Sequence, residues 1–238
     1  MGIFDEQVKL IHQFISTKKN LNQLREFQVN SYRSWLSGSS LILEEGTALE
    51  LGNPGLGSLS LIMWSWEKGN NKDHVFLVGP DLKEMSRKSM PFCQIIIARG
   101  SFRDEYECYR ELRDAVFDTK MRGLMVRVLP SRQTIWCRVS REALEEGFSL
   151  GHLGAALIRN LKDIEFVSGV DVVFVTSGKS DLKILMEPTH TAGRIAGALV
   201  KMGEEMSLDC NSCEYRDVCE QVVELKKIRN RLKEGAAG

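Results

Sequence analysis

The sequence holds no apolar run near the ~18 residues that mark a membrane span, so insertion into a bilayer is not expected. It has no excess charge of either sign. Lys plus Arg and Asp plus Glu both number 32, which argues against a general nucleic-acid binder or a protein drawn to anionic lipid. The stretch Met1-Gly2-Ile3-Phe4-Asp5-Glu6 lacks a basic region leading into an apolar one. No secretion signal is therefore expected, and a reducing cytoplasm is the expected location. The chain also lacks a second C-x-x-C or a histidine pair near its one C-x-x-C, as a zinc ribbon or finger would require.

What is present centres on Leu208-Asp209-Cys210-Asn211-Ser212-Cys213-Glu214-Tyr215-Arg216-Asp217-Val218-Cys219. Three of the six cysteines fall there, spaced C-x2-C-x5-C. Two thiolates two residues apart can face one centre across a tight turn, and a third can close over it. All-thiolate sites select iron–sulfur clusters or zinc. Cys210, Cys213 and Cys219 are thus the expected metal ligands. A [4Fe-4S] cluster is favoured over zinc, because zinc sites usually show four local ligands. The spacing differs from the ferredoxin run. Cys93, Cys108, Cys137 or an outside group is left to fill the fourth position; a disulfide or free thiols are the alternative.

The 238 residues, 43% hydrophobic and 27% charged, allow one large or two small globular domains. Phe4 to Trp35 reads as helical, with Val8, Ile11, Phe14 and Ile15 in step, and Ser37-Gly38-Ser39-Ser40 ends it. From Leu41 the pattern turns to strands: Leu41–Leu43, Ala48–Leu51, Ser58–Trp66, His74–Val78, Pro91–Ala98, Leu124–Leu129, Thr134–Val139 and Val170–Thr176. Lys68–Lys72 reads as a hairpin loop. Helices are expected over Arg103–Arg122, from Ser140 as N-cap, over Leu150–Leu161, over Leu182–Met206 with a break at Pro188, and after Cys219. The last carries Lys226, Lys227, Arg229, Arg231 and Lys233, read as a solvated face. His152 reads as exposed, and His190 as part of a loop. Gly55-x-Gly57 and Gly178-Lys179-Ser180 each echo part of a phosphate loop, and each lacks the rest of the motif. The fold class expected is α/β: a mixed sheet flanked by helices, with an N-terminal helical segment (1–40), a central domain (41–206) and a Cys-rich helical tail (207–238).

Several apolar motifs occur in a fixed order: Leu49-Glu50-Leu51-Gly52-Asn53-Pro54, Val78-Gly79-Pro80-Asp81-Leu82, Pro91-Phe92-Cys93-Gln94-Ile95-Ile96, Ile135-Trp136-Cys137-Arg138-Val139-Ser140-Arg141-Glu142-Ala143, Gly147-Phe148-Ser149 and Gly151-His152-Leu153-Gly154. Together with Cys210-x-x-Cys213 and Asp217-Val218-Cys219 they make the chain resemble the beta subunit of the carbon monoxide dehydrogenase/acetyl-CoA synthase complex, from about Leu43 to Cys219. In that family a C-x-x-C begins a nickel–iron–sulfur cluster, and the resemblance places Cys210 and Cys213 at that point. The third cysteine arrives earlier here, none follows Cys219, and the Cys-Gly-Cys pair that holds the distal nickel has no counterpart. Nickel is therefore not expected.

The resemblance implies an iron–sulfur accessory, electron-transfer or assembly subunit beside a larger enzyme of anaerobic one-carbon or CO metabolism, with self-association left open. The alternatives are an acetyl-CoA synthase-like acyltransferase completed by a partner chain, or a zinc-stapled structural protein. Certain nucleases carry a similar cysteine spacing, but the acid and acid-x-lysine of their active site are missing.

Overall fold

The computed structural model describes residues 2–32, 34–66, 72–129, 134–204 and 209–235. Two sheets organise the chain. The larger runs β1-β4-β9-β6-β3, formed by β1 (Leu24–Phe27), β3 (Ser58–Ser65), β4 (His74–Val78), β6 (Phe92–Gly100) and β9 (Val167–Val175). It is mixed: β3 lies parallel to β6 and β4 parallel to β9, while β6–β9 and β1–β4 are antiparallel. The smaller runs β5-β2-β8-β7, from β2 (Thr47–Leu51), β5 (Ser89–Met90), β7 (Leu124–Leu129) and β8 (Thr134–Ser140).

Helices α1 (Asp5–Asn20), α2 (Glu105–Phe117), α3 (Arg141–Glu146), α4 (Leu150–Lys162), α5 (Lys179–Glu204), α6 (Arg216–Gln221) and α7 (Val223–Gly235) cover the sheets. Strands β6 and β9 are buried along nearly their whole length, which explains their unbroken apolar sequences: both faces are covered, so alternation is not needed. Helix α4 packs on β9 and β4, and α5 packs on β3 and α1. The expected α/β class is the one observed.

Local chemistry sets several boundaries. Ser140 caps α3 by accepting from the Ala143 N–H at 3.1 Å. The helix stops at Gly147, whose φ of +100° is open to glycine at little cost.

Several expectations need correction. The helical reading of Phe4 to Trp35 holds only through α1. Leu24–Phe27 is a strand, because it finds the free edge of β4 to pair with. Leu41–Leu43 forms no strand. Residues 68–71 of the expected hairpin loop lie outside the described residues, but β3 and β4 do not pair with each other, so they form no hairpin. Pro188 does not break its helix: α5 runs continuously through it, and its buried stripe of Leu182, Leu185, Ala192, Ile195, Leu199 and Met202 outweighs one lost hydrogen bond. His152 is half-buried rather than exposed. Its Nδ1 accepts from the Ser149 N–H at 3.2 Å, its ring meets those of Tyr32, Trp35 and Phe148, and burial pushes its pKa down.

A candidate metal centre and a neighbouring cavity

The cysteine-rich tail folds back on α5. Asp209 starts the turn: its carboxylate accepts from the Asn211 N–H at 3.1 Å and from the Ser212 hydroxyl at 2.7 Å. This local turn is the one the C-x-x-C spacing anticipates. Arg194 of α5 then pins the segment, donating to the Glu214 carbonyl at 2.6 Å and to the Asp217 carboxylate at 2.7 Å. The Tyr215 ring sits against Gly197, where a Cβ would approach it to 2.7 Å, so any larger residue there would push the ring aside. Helix α6 buries Val218 and Cys219, and α7 is anchored by the fully buried Leu225.

Cys210, Cys213 and Cys219 consequently line one small cavity of about 20 Å³, together with Ala198, Met202 and Arg229. Cys219 is 4% exposed, and Cys210 and Cys213 are partly exposed. Burial pushes the Cys219 thiol up; Cys213 and Cys210 add to this, while Arg229 opposes it. All three are free thiols, as are the other three cysteines. Among the described residues, no group of three or more His, Cys, Asp or Glu side chains is arranged as a ready ion site.

Cys93, Cys108 and Cys137 do not line this cavity. Cys93 lies in β6 and Cys137 in β8, both fully buried, with their thiols pushed far up by burial. Cys108 is buried in α2. His190 belongs to α5 and lines a separate cleft of about 570 Å³ beside Tyr215, not the cysteine cavity.

The donor set suits a thiophilic centre. Three soft thiols share one wall, and the Nε–H of Arg229 is buried there with no hydrogen-bond partner among the described residues. A buried donor left without a partner costs about 1–3 kcal/mol, so an acceptor is expected beside it. The volume as it stands holds about one water-sized sphere. As it stands that space is too small for a four-iron cluster. Arg229 was hidden in the sequence because its neighbours Lys226, Lys227 and Arg231 made one basic run. Here its side chain is only 11% exposed, and Glu220 accepts from it at 2.7 Å.

A larger cavity, of about 890 Å³, lies elsewhere. The Gly52–Gly57 loop, the start of β3, Arg127 of β7, Trp136 of β8 and the first turns of α5 enclose it. The two partial phosphate-loop echoes, Gly55-x-Gly57 and Lys179, thus face one space, although 124 residue positions part Gly55 from Lys179 in the sequence. Arg127 and Arg138 each lie over the Trp136 ring, at 5.1 Å and 4.5 Å from its centre. Lys179 and Lys183 are exposed at the rim and pair with no carboxylate among the described residues. Glu50 also lines the cavity. Burial pushes its carboxyl up, but hydrogen bonds from Asn53, Trp136, Arg138 and Ser89 outweigh this and hold it below the usual range.

The family model of the CO dehydrogenase/acetyl-CoA synthase complex beta subunit matches residues 42–180, more than half of the chain. The chain belongs to this beta-subunit family. Among curated relatives, a segment is 38% identical over 114 residues to the acetyl-CoA decarbonylase/synthase complex subunit beta of Methanopyrus kandleri, covering 47% of this chain and 24% of that protein. Another is 30% identical over 180 residues to subunit beta 1 of Methanosarcina thermophila, covering 73% of this chain and 38% of that protein. Subunit beta 2 of Methanosarcina acetivorans is 29% identical over 171 residues, 71% of this chain and 34% of that protein. The chain therefore spans less than two fifths of the length of these relatives. The family match covers both sheets except β1, together with the large cavity's glycine loop, and ends before Cys210. No helix among the described residues is long and apolar enough to cross a membrane.

Proposed function

We propose that this beta-subunit relative is an iron–sulfur protein in which Cys210, Cys213 and Cys219 hold a [4Fe-4S] cluster. It serves as an accessory, electron-transfer or assembly subunit beside a larger enzyme of anaerobic one-carbon or CO metabolism. The observation that carries the reading is the shared cavity: three cysteines from a turn and a following helix meet at one wall with a buried, unpartnered guanidinium N–H. When bound, the cluster supplies one-electron transfer. The protein's own part is to hold the thiolates on α5 through Arg194 and Tyr215, to exclude water around Cys219, and to leave a fourth position to an outside group.

The test is iron, sulfide, zinc and nickel analysis with a visible spectrum on anaerobically purified protein. Iron with sulfide and sulfur-to-iron absorbance is expected. Cys213→Ser should lose both, whereas Cys137→Ser, buried in β8, should keep them. Full iron occupancy in Cys213→Ser would sink the assignment. Colourless protein holding one zinc would favour the structural staple, which the small cavity volume supports.

A second reading concerns the 890 Å³ cavity. The relatives' names carry acetyl-CoA, and the cavity offers Lys179, Lys183, Arg127 and an aromatic face at Trp136. We read it as a site for coenzyme A or an acyl derivative. Quenching of tryptophan fluorescence by coenzyme A, lost in Lys179→Ala/Lys183→Ala, tests this; no saturable change in the wild-type chain overturns it.

A further inference from the structure

Between α2, α5 and β3 lies the cleft of about 570 Å³ that His190 lines. It opens where the two sheets part. Ser58 ties β3 to Ile135 of β8, and Ile135 is the register partner of Val128 in β7. Further along β3, Ser60 and Ile62 line the cleft together with Val128. β3 is the last strand of its sheet, so no further strand fills the gap. The volume falls within the roughly 300–1,000 Å³ typical of small-ligand sites. Tyr109, Arg113 and Phe117 stand on one face of α2 as its wall on that side. On α5, His190, Arg194, Gly197, Lys201 and Glu204 recur at helical spacing as the other. His190 and Glu204 are 14 residues apart, roughly 21 Å along the helix axis, so the cleft is elongated.

Its charges are sorted by depth. Glu204 and Glu214 are exposed, whereas Arg113, Arg194 and Lys201 are half-buried. Arg194 is engaged by Asp217 and the Glu214 carbonyl. Arg113 has its chain neighbour Asp114, which accepts from Nε at 3.3 Å and is 57% exposed; the two Nη groups pair with no carboxylate among the described residues. Burial pushes the Tyr109 phenol up, and the Arg113 charge opposes it. A half-buried cation bordered by Leu61, Ile62 and Val128 matches an anion that carries its own apolar body. We infer that this cleft binds a small monocarboxylate with an elongated apolar body, its carboxylate paired with the Arg113 guanidinium and its body laid on Leu61, Ile62 and Val128. The cleft shares no residue with the 890 Å³ cavity, and the inference needs no metal at the cysteines.

The chain has four histidines, and of these His190 alone lines the cleft. Its imidazole NMR signal, assigned by its loss in His190→Gln, therefore reports on this site in the full chain at fixed pH. Octanoate and 3-phenylpropionate are the probes. A saturable shift of His190, with His12, His74 and His152 unmoved, is expected; whichever acid binds more tightly tells whether the body is an acyl chain or a ring. Octanamide has the same chain without the charge and should bind about tenfold more weakly than octanoate. Arg113→Gln should abolish that difference, with folding checked by circular dichroism. No saturable shift of His190 with either acid overturns the inference. So does octanamide binding as tightly as octanoate, or a folded Arg113→Gln that keeps the preference for the carboxylate. If Arg113→Gln does not fold, added sodium chloride decides in the wild-type chain. Octanoate weakening while octanamide holds is the expected result, and an equal response of the two overturns the inference.

Discussion

Gly52→Ala is the sharpest structural test of how the large cavity is built. Gly52 ends β2 with φ +72°, and a Cβ there would stand 2.1 Å from the Ile135 carbonyl oxygen and 2.9 Å from Ser58 Oγ. Neither neighbour can yield easily. The Ile135 carbonyl is backbone of β8, and Ser58 bridges the two sheets, accepting from the Ile135 N–H at 2.7 Å and donating to its carbonyl. The left-handed backbone costs a residue with a Cβ roughly 1–2 kcal/mol. Forcing an extra methyl into a packed site adds roughly 1–3 kcal/mol. A central value of about 3 kcal/mol corresponds to a fall in melting temperature of about 6–12 °C for a chain of this size. Gly55→Ala is the control. Gly55 has no positive φ, and its Cβ would meet only the Asn53 side chain, at 3.3 Å. A change within about 1 kcal/mol is expected there. Thermal and urea melts of the two variants decide the matter. A Gly52→Ala protein melting within a degree or so of wild type, or a Gly55→Ala protein harmed equally, would show that the sheets are not joined as described.

Two further outcomes follow from buried charge. Arg99 and Asp171 form an ion pair across β6 and β9, both nearly buried, with His12 at 3.6 Å from the carboxylate. Asp171→Ala leaves the guanidinium without its charge partner and should cost about 3–5 kcal/mol; replacing both partners with apolar residues should recover much of this, and a neutral single variant in a urea melt would contradict the pairing. Glu50 has a folded pKa below its unfolded value, so its contribution is fully present above about pH 4.3 and is lost as pH falls through the lowered folded value. Glu50→Gln should flatten that part of the stability–pH curve, and an unchanged acid limb would assign the acid sensitivity to other carboxylates.

The legible parts of the fold were those with a strong local signal. The unbroken runs of β6 and β9 announced strands covered on both faces. Ser140 announced the start of α3 through cap chemistry. The ordered motifs between Leu49 and Gly154 named the family that the residue 42–180 match shows. Misreadings arose where a distant partner outweighed local preference. Leu24–Phe27 became a strand because β4 offered an open edge. Pro188 stayed inside α5 because the helix buries a long stripe on the sheet. His152 became half-buried because Tyr32, Trp35 and Phe148 close around it.

By itself the sequence determined the strand and helix types with strong periodicity, the caps, the even charge and the kinship to the beta subunit, since each is written in residues adjacent along the chain. Only the tertiary structure decided which side chains meet. The glycine loop and Lys179 meet at one cavity, and Arg229 comes to the cysteines instead of lying with its basic neighbours in solvent. Those meetings depend on how α5 and α7 pack, and packing is settled by total buried surface and close fit between segments far apart in sequence, which a local pattern does not encode.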